Sequence, residues 1–410
     1  MADPKDKKVN SPEYSAPMAA SKPTLDGDLS VGISVGNEYL VGQQTSQAGS
    51  LPEEIPSGVE SAAEAKRVAA RAAVTQTFWS LVRHQFKKNR VAVYALWVVY
   101  FLFALAIFAD VLANDKPLMT SYNGTLYFPV FKQYLVDLGI DRWSADLVLA
   151  DWKELDDAGK LSTSIWPPIR YSESDEDLVN VLAAPGGHHL LGTDGIGRDV
   201  LSGMVHGSRI ALTIGFVSMS FALVIGIILG AIAGFYGGWI DILISRLIEV
   251  VITLPTFFLI ITVVAMVQHG SIWLIMVLIG VTSWPGIARF TRGEFLRVRN
   301  MDFVSAATAL GFKDSRIVFR HVLPNALAPV MVTAAFGIAG AILLEAGLSF
   351  LGLGVPPTVV TWGSVLNDAR NDIHAWWLAV FPGFAIFLAV VSYNLVGDGL
   401  RDALDPRLRD

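Results

Sequence analysis

Three groups of residues have types and spacings that could do chemistry. The first is 192–199, GTDGIGRD, where Gly192, Gly195 and Gly197 allow a tight backbone and Asp194, Arg198 and Asp199 can pair and cap. A phosphate-cradling loop needs a strand before it and a helix after it, on the nucleotide side. This one runs straight into an apolar segment from the side assigned below to the exterior, so nucleotide binding is rejected. The second group is the acidic run SESDED at 172–177 with His188 and His189 nearby. The run suits a solvated loop better than a cation site. Adjacent histidines cannot share one helix face and read as surface imidazoles. The third is a pair of carboxylates inside apolar segments, Glu249 and Glu345. An intramembrane carboxylate is a functional candidate by default; with Pro255 these are the candidate pathway residues, although Glu249 has Arg246 within reach. Walker, H-E-x-x-H and G-x-S-x-G patterns are absent, and the chain has no cysteine. A nucleophilic or metal-dependent enzyme is therefore not indicated.

One stretch is built for docking instead. Residues 301–325, MDFVSAATALGFKDSRIVFRHVLPN, are too polar to span a bilayer yet lie between segments apolar enough to do so. Phe303, Ala306, Ala307 and Leu310 fall at i, i+3, i+4 and i+7, one face of a short helix. Gly311 suits a left-handed stop. Asp314 or Ser315 can cap a second short helix carrying Ile317, Phe319 and Val322 among Arg316, Arg320 and His321. Pro324 fits the first turn of the next membrane helix.

The elements that must hold these residues are mostly apolar helices. Of 410 residues, 53% are hydrophobic and 17% charged, and mean hydropathy is +0.49, which places the chain among polytopic membrane proteins with sizeable polar parts. The expected fold is all-α with six spans. Residues 1–75 read as a disordered cytoplasmic tail with no signal peptide, although 61–77 is helix-prone. Residues 76–113 hold an amphipathic elbow, with Arg83, Lys87, Lys88 and Arg90 among aromatic residues, and then the first span at 91–112. The basic cluster puts the N-terminus inside. Residues 114–206 form an external insertion rich in Tyr and Trp. A bundle at 207–398 follows, with spans at 211–233, 243–267 kinked at Pro255, 272–290 broken at 284–286, 326–348 and 378–395. Arg289, Arg292, Arg297 and Arg299 mark a cytoplasmic exit. The segment between the last two spans reads as an outer cap, and 399–410 as a cytoplasmic end.

These motifs resemble binding-protein-dependent ABC import permeases. The stretch 301–324 is similar to their E-A-A–x3–G loop, with Ser305-Ala306-Ala307 at the E-A-A place, Gly311 at the glycine and Leu323-Pro324 at the end. The family's Glu is Ser here. The 189–210 stretch, and 345–407 with E-A-G-L-S-F-L-G-L-G and N-L-x-G-D-G-L-R-D-A-L-D-P-R, resemble the C-type permease of the dipeptide/oligopeptide/nickel class. The insertion resembles that of the Yej-like peptide subgroup, and the basic elbow has a family counterpart.

That resemblance implies a type I importer permease of the bacterial inner membrane, with both termini cytoplasmic. It implies a homologous second permease, two ABC ATPase subunits and a periplasmic solute-binding protein, with ATP and Mg held by the ATPases and no cofactor on this chain. Nucleic acid is not a partner. Ser305, Ala306, Ala307, Leu310, Gly311, Ile317, Phe319, Leu323 and Pro324 are then the coupling residues. Gly192, Asp194, Gly197, Arg198 and Asp199 form an external motif. The cargo would be a peptide or peptide-like solute, with nickel or a glycoside as the runner-up. An ion-coupled secondary transporter is the rival, and it would want paired carboxylates at mid-membrane.

Overall fold

Helix α6 (Val200–Tyr236) sets the scale of the molecule. Its 37 residues span roughly 55 Å at 1.5 Å each, well beyond a roughly 30 Å hydrocarbon core. The computed structural model describes residues 78–148, 150–267 and 271–404. The expected tail, the helix-prone 61–77 and the chain end from 405 lie outside them.

Helix α1 (Phe78–Lys88) leads into α2 (Arg90–Ile107), which Asn89 caps by accepting from the Ala92 amide at 3.1 Å. α2 is the first span, and it stops at Phe108, short of the expected 112, before a single turn, α3 (Ala109–Leu112). The insertion then builds an antiparallel sheet of order β2-β1-β3 from β1 (Met119–Tyr122), β2 (Thr125–Tyr127) and β3 (Leu161–Ile165). Thr120 lies opposite Tyr127 on one side and Ser164 on the other. Between the strands come α4 (Pro129–Asp137) and α5 (Trp152–Asp157). Leu147, Trp152 and Leu161 form its core under Trp143 and Trp166, which accounts for the aromatic-rich composition. Asn123 and Gly124 both take positive φ (50° and 76°) and close the β1–β2 hairpin. The membrane part is helical as expected; the small sheet is an addition.

Among the described residues, five helices are long and apolar enough to cross a membrane, or six if one bent pair counts as a single span. Besides α2 and α6 these are α9 (Ile272–Arg299), the run ending in α12 (Leu323–Phe350), and α14 (Trp377–Leu404). The bent pair is α7 (Gly238–Thr253) and α8 (Thr256–Met266), which meet at 75° across Leu254-Pro255. α6 begins at Val200, not near 211, because Asp199 caps it by accepting from the Ser202 amide at 2.7 Å. Residues 200–206, expected within the insertion, are therefore its first two turns.

The expected break at 284–286 does not occur. α9 passes through Pro285 unbroken, because α6 supports it over its whole length. Gly226, Gly230 and Gly234 bring the two backbones together: a methyl group on Gly230 would lie 2.5 Å from the Ala288 carbonyl, and one on Gly234 2.6 Å from Phe295 Cβ. α9 answers with Gly280, where a methyl would lie 2.7 Å from the Ser218 carbonyl. Beyond α9 come α10 (Asp302–Ala309), α11 (Asp314–Ile317) and a π-helical turn (Val318–Val322) that runs into α12. A short helix, α13 (Trp362–Asp368), interrupts the expected outer cap, held by a reciprocal Thr361–Ser364 capping box.

Candidate functional site

Two sites lie at opposite ends of α6. At its C-terminal end, α10 follows α9 and seats Val304 and Ala307, 4% and 5% exposed, on Phe295, Val298, Ile317 and Val322. The expected apolar face is divided: only Ala307 of its four residues is seated. Phe303 and Leu310 point outward, 40% and 74% exposed, and Ala306 and Ser305 are exposed beside them. Val304, outside that face, is covered as well, because the foot of α9 supplies an apolar seat that it fills. The sequence pattern identified an apolar face but not which of two faces is covered.

Gly311 takes φ +74°. Its amide donates to the Thr308 carbonyl at 2.9 Å, and the Phe312 amide to Ala307 at 3.2 Å, the two bonds of a Schellman stop. The second helix departs from expectation at its start. Lys313 occupies the cap position with no side-chain bond, and Asp314 is already the first helical residue. Nor is this helix separate. α11, the π turn and α12 run as one from Asp314 to Phe350. The π turn places the Leu323 amide on the Val318 carbonyl, five residues back, immediately before Pro324, which has no amide to give. Ile317 is buried, Leu323 half-buried, and Phe319 is 69% exposed. Arg316 lies 4.4 Å over the Phe312 ring, which stacks on His321.

A groove of about 560 Å³ opens between this element and the end of α6; Phe235, Tyr236, Arg299, Ser305, Thr308 and Asp314 are among its lining residues. Ser305 thus faces open space in the groove. Arg299 Nη1 donates to the Phe235 carbonyl at 2.5 Å, tying α9 to α6. Asp241 and Arg292 form a two-point pair, Nη2 to Oδ2 at 2.6 Å, that fixes the α6–α7 turn to α9. Sequence reasoning read Arg292 only as a topology signal.

At the other end of α6, the 192–199 loop is a latch. Asp194 accepts from the Ile196 and Arg198 amides at 3.0 and 2.8 Å and from Arg198 Nε at 2.7 Å. Gly192 and Gly197 take φ +82° and +83°. A methyl on Gly192 would lie 2.6 Å from the Ala183 carbonyl and 2.8 Å from Trp377 Nε1. Trp377 Nε1 donates to the Thr193 carbonyl at 3.0 Å, joining the loop to the start of α14. Arg198 also reaches Asp368 on α13 at 3.8 Å. Burial pushes the Asp368 carboxyl up to about 6, helped by the Asp194 charge and opposed by Arg198. His188 is exposed as expected, but His189 is buried: its Nδ1 lies 2.9 Å from Asp199 and its ring lies against Tyr171, tilted by 32°. The acidic run is engaged internally: Asp175 pairs with Lys153, and Glu173 lies 3.3 Å from His206. Among the described residues no three His, Asp or Glu side chains gather as a metal site.

The pathway candidates do not come together. Glu249 is exposed and paired with Arg246 at 2.6 Å. Pro255 lies at the α7–α8 break. Glu345 is 1% exposed and accepts from Ser349 at 2.7 Å, inside the core. The cavity that does open at mid-bundle, about 550 Å³, lies between α9 and α12 and is lined by Ser283, Gly286, Phe290, Thr333, Phe336 and Gly340 among others. Sequence reasoning read Gly286 only as part of a break and gave the others no role.

Residues 226–410 match the family described as binding-protein-dependent transport system inner membrane component, and 77–129 match the N-terminal membrane domain of oligopeptide transport permease C. The dipeptide transport system permease protein DppC of Alkalihalophilus pseudofirmus is 41% identical over 249 residues, 60% of this chain and 82% of that one. The inner membrane ABC transporter permease protein YejE of Escherichia coli is 34% identical over 341 residues, 81% of this chain and 97% of its own. The peptidoglycan transport system permease protein YejE of Agrobacterium fabrum is 32% identical over 352 residues, covering 78% and 91%.

Proposed function

The chain belongs to the binding-protein-dependent transport system inner membrane component family, a multi-pass permease contributing the translocation pathway of an ATP-binding-cassette importer, and on that premise we propose that it imports peptides or peptide-like solutes, driven by separate ATPase subunits seated on 301–324. The observation that carries the coupling reading is the exposed apolar side of α10, Phe303 and Leu310, with Phe319 beyond the Gly311 turn. Large apolar side chains standing in a polar, basic end of a membrane protein fit a partner surface. Val304 and Ala307 seat α10 on the foot of α9, and α11 is continuous with the fifth span. A push on the exposed side therefore displaces two spans together. ATP-driven closure of the ATPases would draw this element toward its counterpart on a second permease and reopen the α9–α12 cavity to the other side; hydrolysis would reset it. The orientation reading is supported by the basic elbow and by Arg292, Arg297 and Arg299, which by the positive-inside rule favour cytoplasmic termini and an external insertion. There a solute-binding protein would dock. The peptide reading rests on the dipeptide and peptidoglycan permeases among the relatives and on the long alignments with the two YejE chains, which reach farther than the DppC one.

The test is purification of the intact assembly from native membrane and its reconstitution into proteoliposomes loaded with ATP. Uptake of a labelled oligopeptide that requires ATP and a co-purified ATPase is expected. Uptake driven by a proton gradient without ATP would overturn the reading.

A further inference from the structure

Helix α4 of the insertion carries an apolar stripe that nothing among the described residues covers. Phe128, Phe131, Leu135 and Leu138 fall within one arc of the helix and are 46%, 52%, 43% and 73% exposed. Leu126 and Ile140 extend the patch at either end, 54% and 72% exposed. The opposite side of α4 is engaged: Val130 is 2% exposed, and Gln133 accepts from Trp143 Nε1 at 3.0 Å. A patch of this size on a polar subdomain marks a binding surface.

Its position selects the occupant. Tyr134, on the border of the stripe, donates its hydroxyl to Asp110, and Arg209 Nη2 donates to the same carboxylate at 2.5 Å. A small cleft lined by Asp110, Asn114, Lys116, Val130, Gln133 and Tyr134 sets α4 directly against the residues leaving the first span. Asp110 is three residues past Ile107, where that span ends. The lipid-facing side of the span remains exposed up to this point, Ile107 at 68% and Phe108 at 54%. The α4 stripe therefore begins beside the outer end of the first span, next to that span's exposed apolar residues. It carries aromatic and branched aliphatic side chains and no cluster of basic residues, the composition of a helix lying in a zwitterionic interface. We propose that α4 is an interfacial anchor that lays the insertion on the outer leaflet of the bilayer and fixes its height and tilt beside the mouth of the permease.

The chain contains no cysteine, which makes the test direct. Phe131→Cys and Leu135→Cys each replace an exposed residue and can be labelled with an environment-sensitive nitrobenzoxadiazole dye, with Asp157→Cys on α5 as the reference site. The full chain within its transporter is placed in phosphatidylcholine nanodiscs with and without lipids bearing a headgroup-proximal nitroxide. Labels at 131 and 135 should be quenched by the nitroxide lipid and should show an iodide quenching constant several-fold below that of 157. Equal iodide quenching at all three sites would overturn the proposal. So would protection of 131 and 135 that appears only when solute-binding protein is added, because the stripe would then be a protein interface.

Discussion

Replacing Gly311 with valine should separate ATP hydrolysis from transport. Gly311 sits at φ +74°, and a methyl group there would meet nothing within 4 Å. The cost is therefore backbone strain rather than collision, roughly 1–2 kcal/mol for an L-residue held in the left-handed region, and more for a β-branched one. The stop is held by two amide bonds, Gly311 to Thr308 and Phe312 to Ala307, each contributing about 1 kcal/mol net. Strain and stop are thus of the same size, and the turn shifts about 5- to 30-fold toward an opened form. α10 remains seated by Val304 and Ala307, but its angle to the foot of the fifth span is no longer fixed. In proteoliposomes holding the whole importer, Gly311→Val should assemble normally and hydrolyse several-fold more ATP per solute imported. Gly311→Asn, which tolerates positive φ, should fall between valine and the native residue. A valine variant with the native ratio of ATP to solute would refute the reasoning.

Gly230→Leu should force α6 from α9, since a side chain there meets the Ala288 carbonyl at 2.5 Å; a loss of roughly 1–3 kcal/mol or more is expected as a lower unfolding midpoint in detergent. Trp377→Phe removes the bond to the Thr193 carbonyl while keeping most of the packing, and should cost about 1 kcal/mol, read in the same assay, with faster proteolysis of the 192–199 loop. The Asp368 carboxyl, raised to about 6, holds its proton in the folded protein at pH values where the unfolded chain has lost it. Its contribution to stability is therefore present below the unfolded value and is lost as pH rises toward 6. Asp368→Asn should raise the free energy of unfolding at pH 7.5, by at most about 3 kcal/mol, leave it nearly unchanged at pH 4, and flatten the pH profile between them.

The spans and the docking stretch were legible because both are local signals: runs of apolar residues, a glycine at a helix end, a proline at a helix start. The Gly311 conformation and the Pro255 bend follow from such signals. What failed depended on neighbours. Phe303 and Val304 are adjacent in sequence, and only the apolar seat made by Phe295 and Val298 decides which of them is covered. Pro285 reads as a break, yet glycines some fifty residues away on α6 keep its helix whole. Asp314 looked like a cap and Asp199 did prove to be one, because capping needs the preceding backbone to turn, which the residue type alone does not state. One local signal was overlooked. Asn123-Gly124 between residues rich in Thr and Tyr is a hairpin turn in its own right, and it would have announced the sheet in the insertion.

The central claim is that the exposed side of α10 receives force from a nucleotide-hydrolysing partner. Because the chain lacks cysteine, a single Leu310→Cys in the assembled transporter, treated with a short photoactivatable crosslinker, addresses it most directly. The account predicts a crosslinked product containing an ATPase subunit, with a yield that changes on adding ATP and vanadate, and no labelling from the periplasmic side. Labelling of residue 310 by a membrane-impermeant reagent in intact cells, or a crosslink yield indifferent to nucleotide, would contradict it.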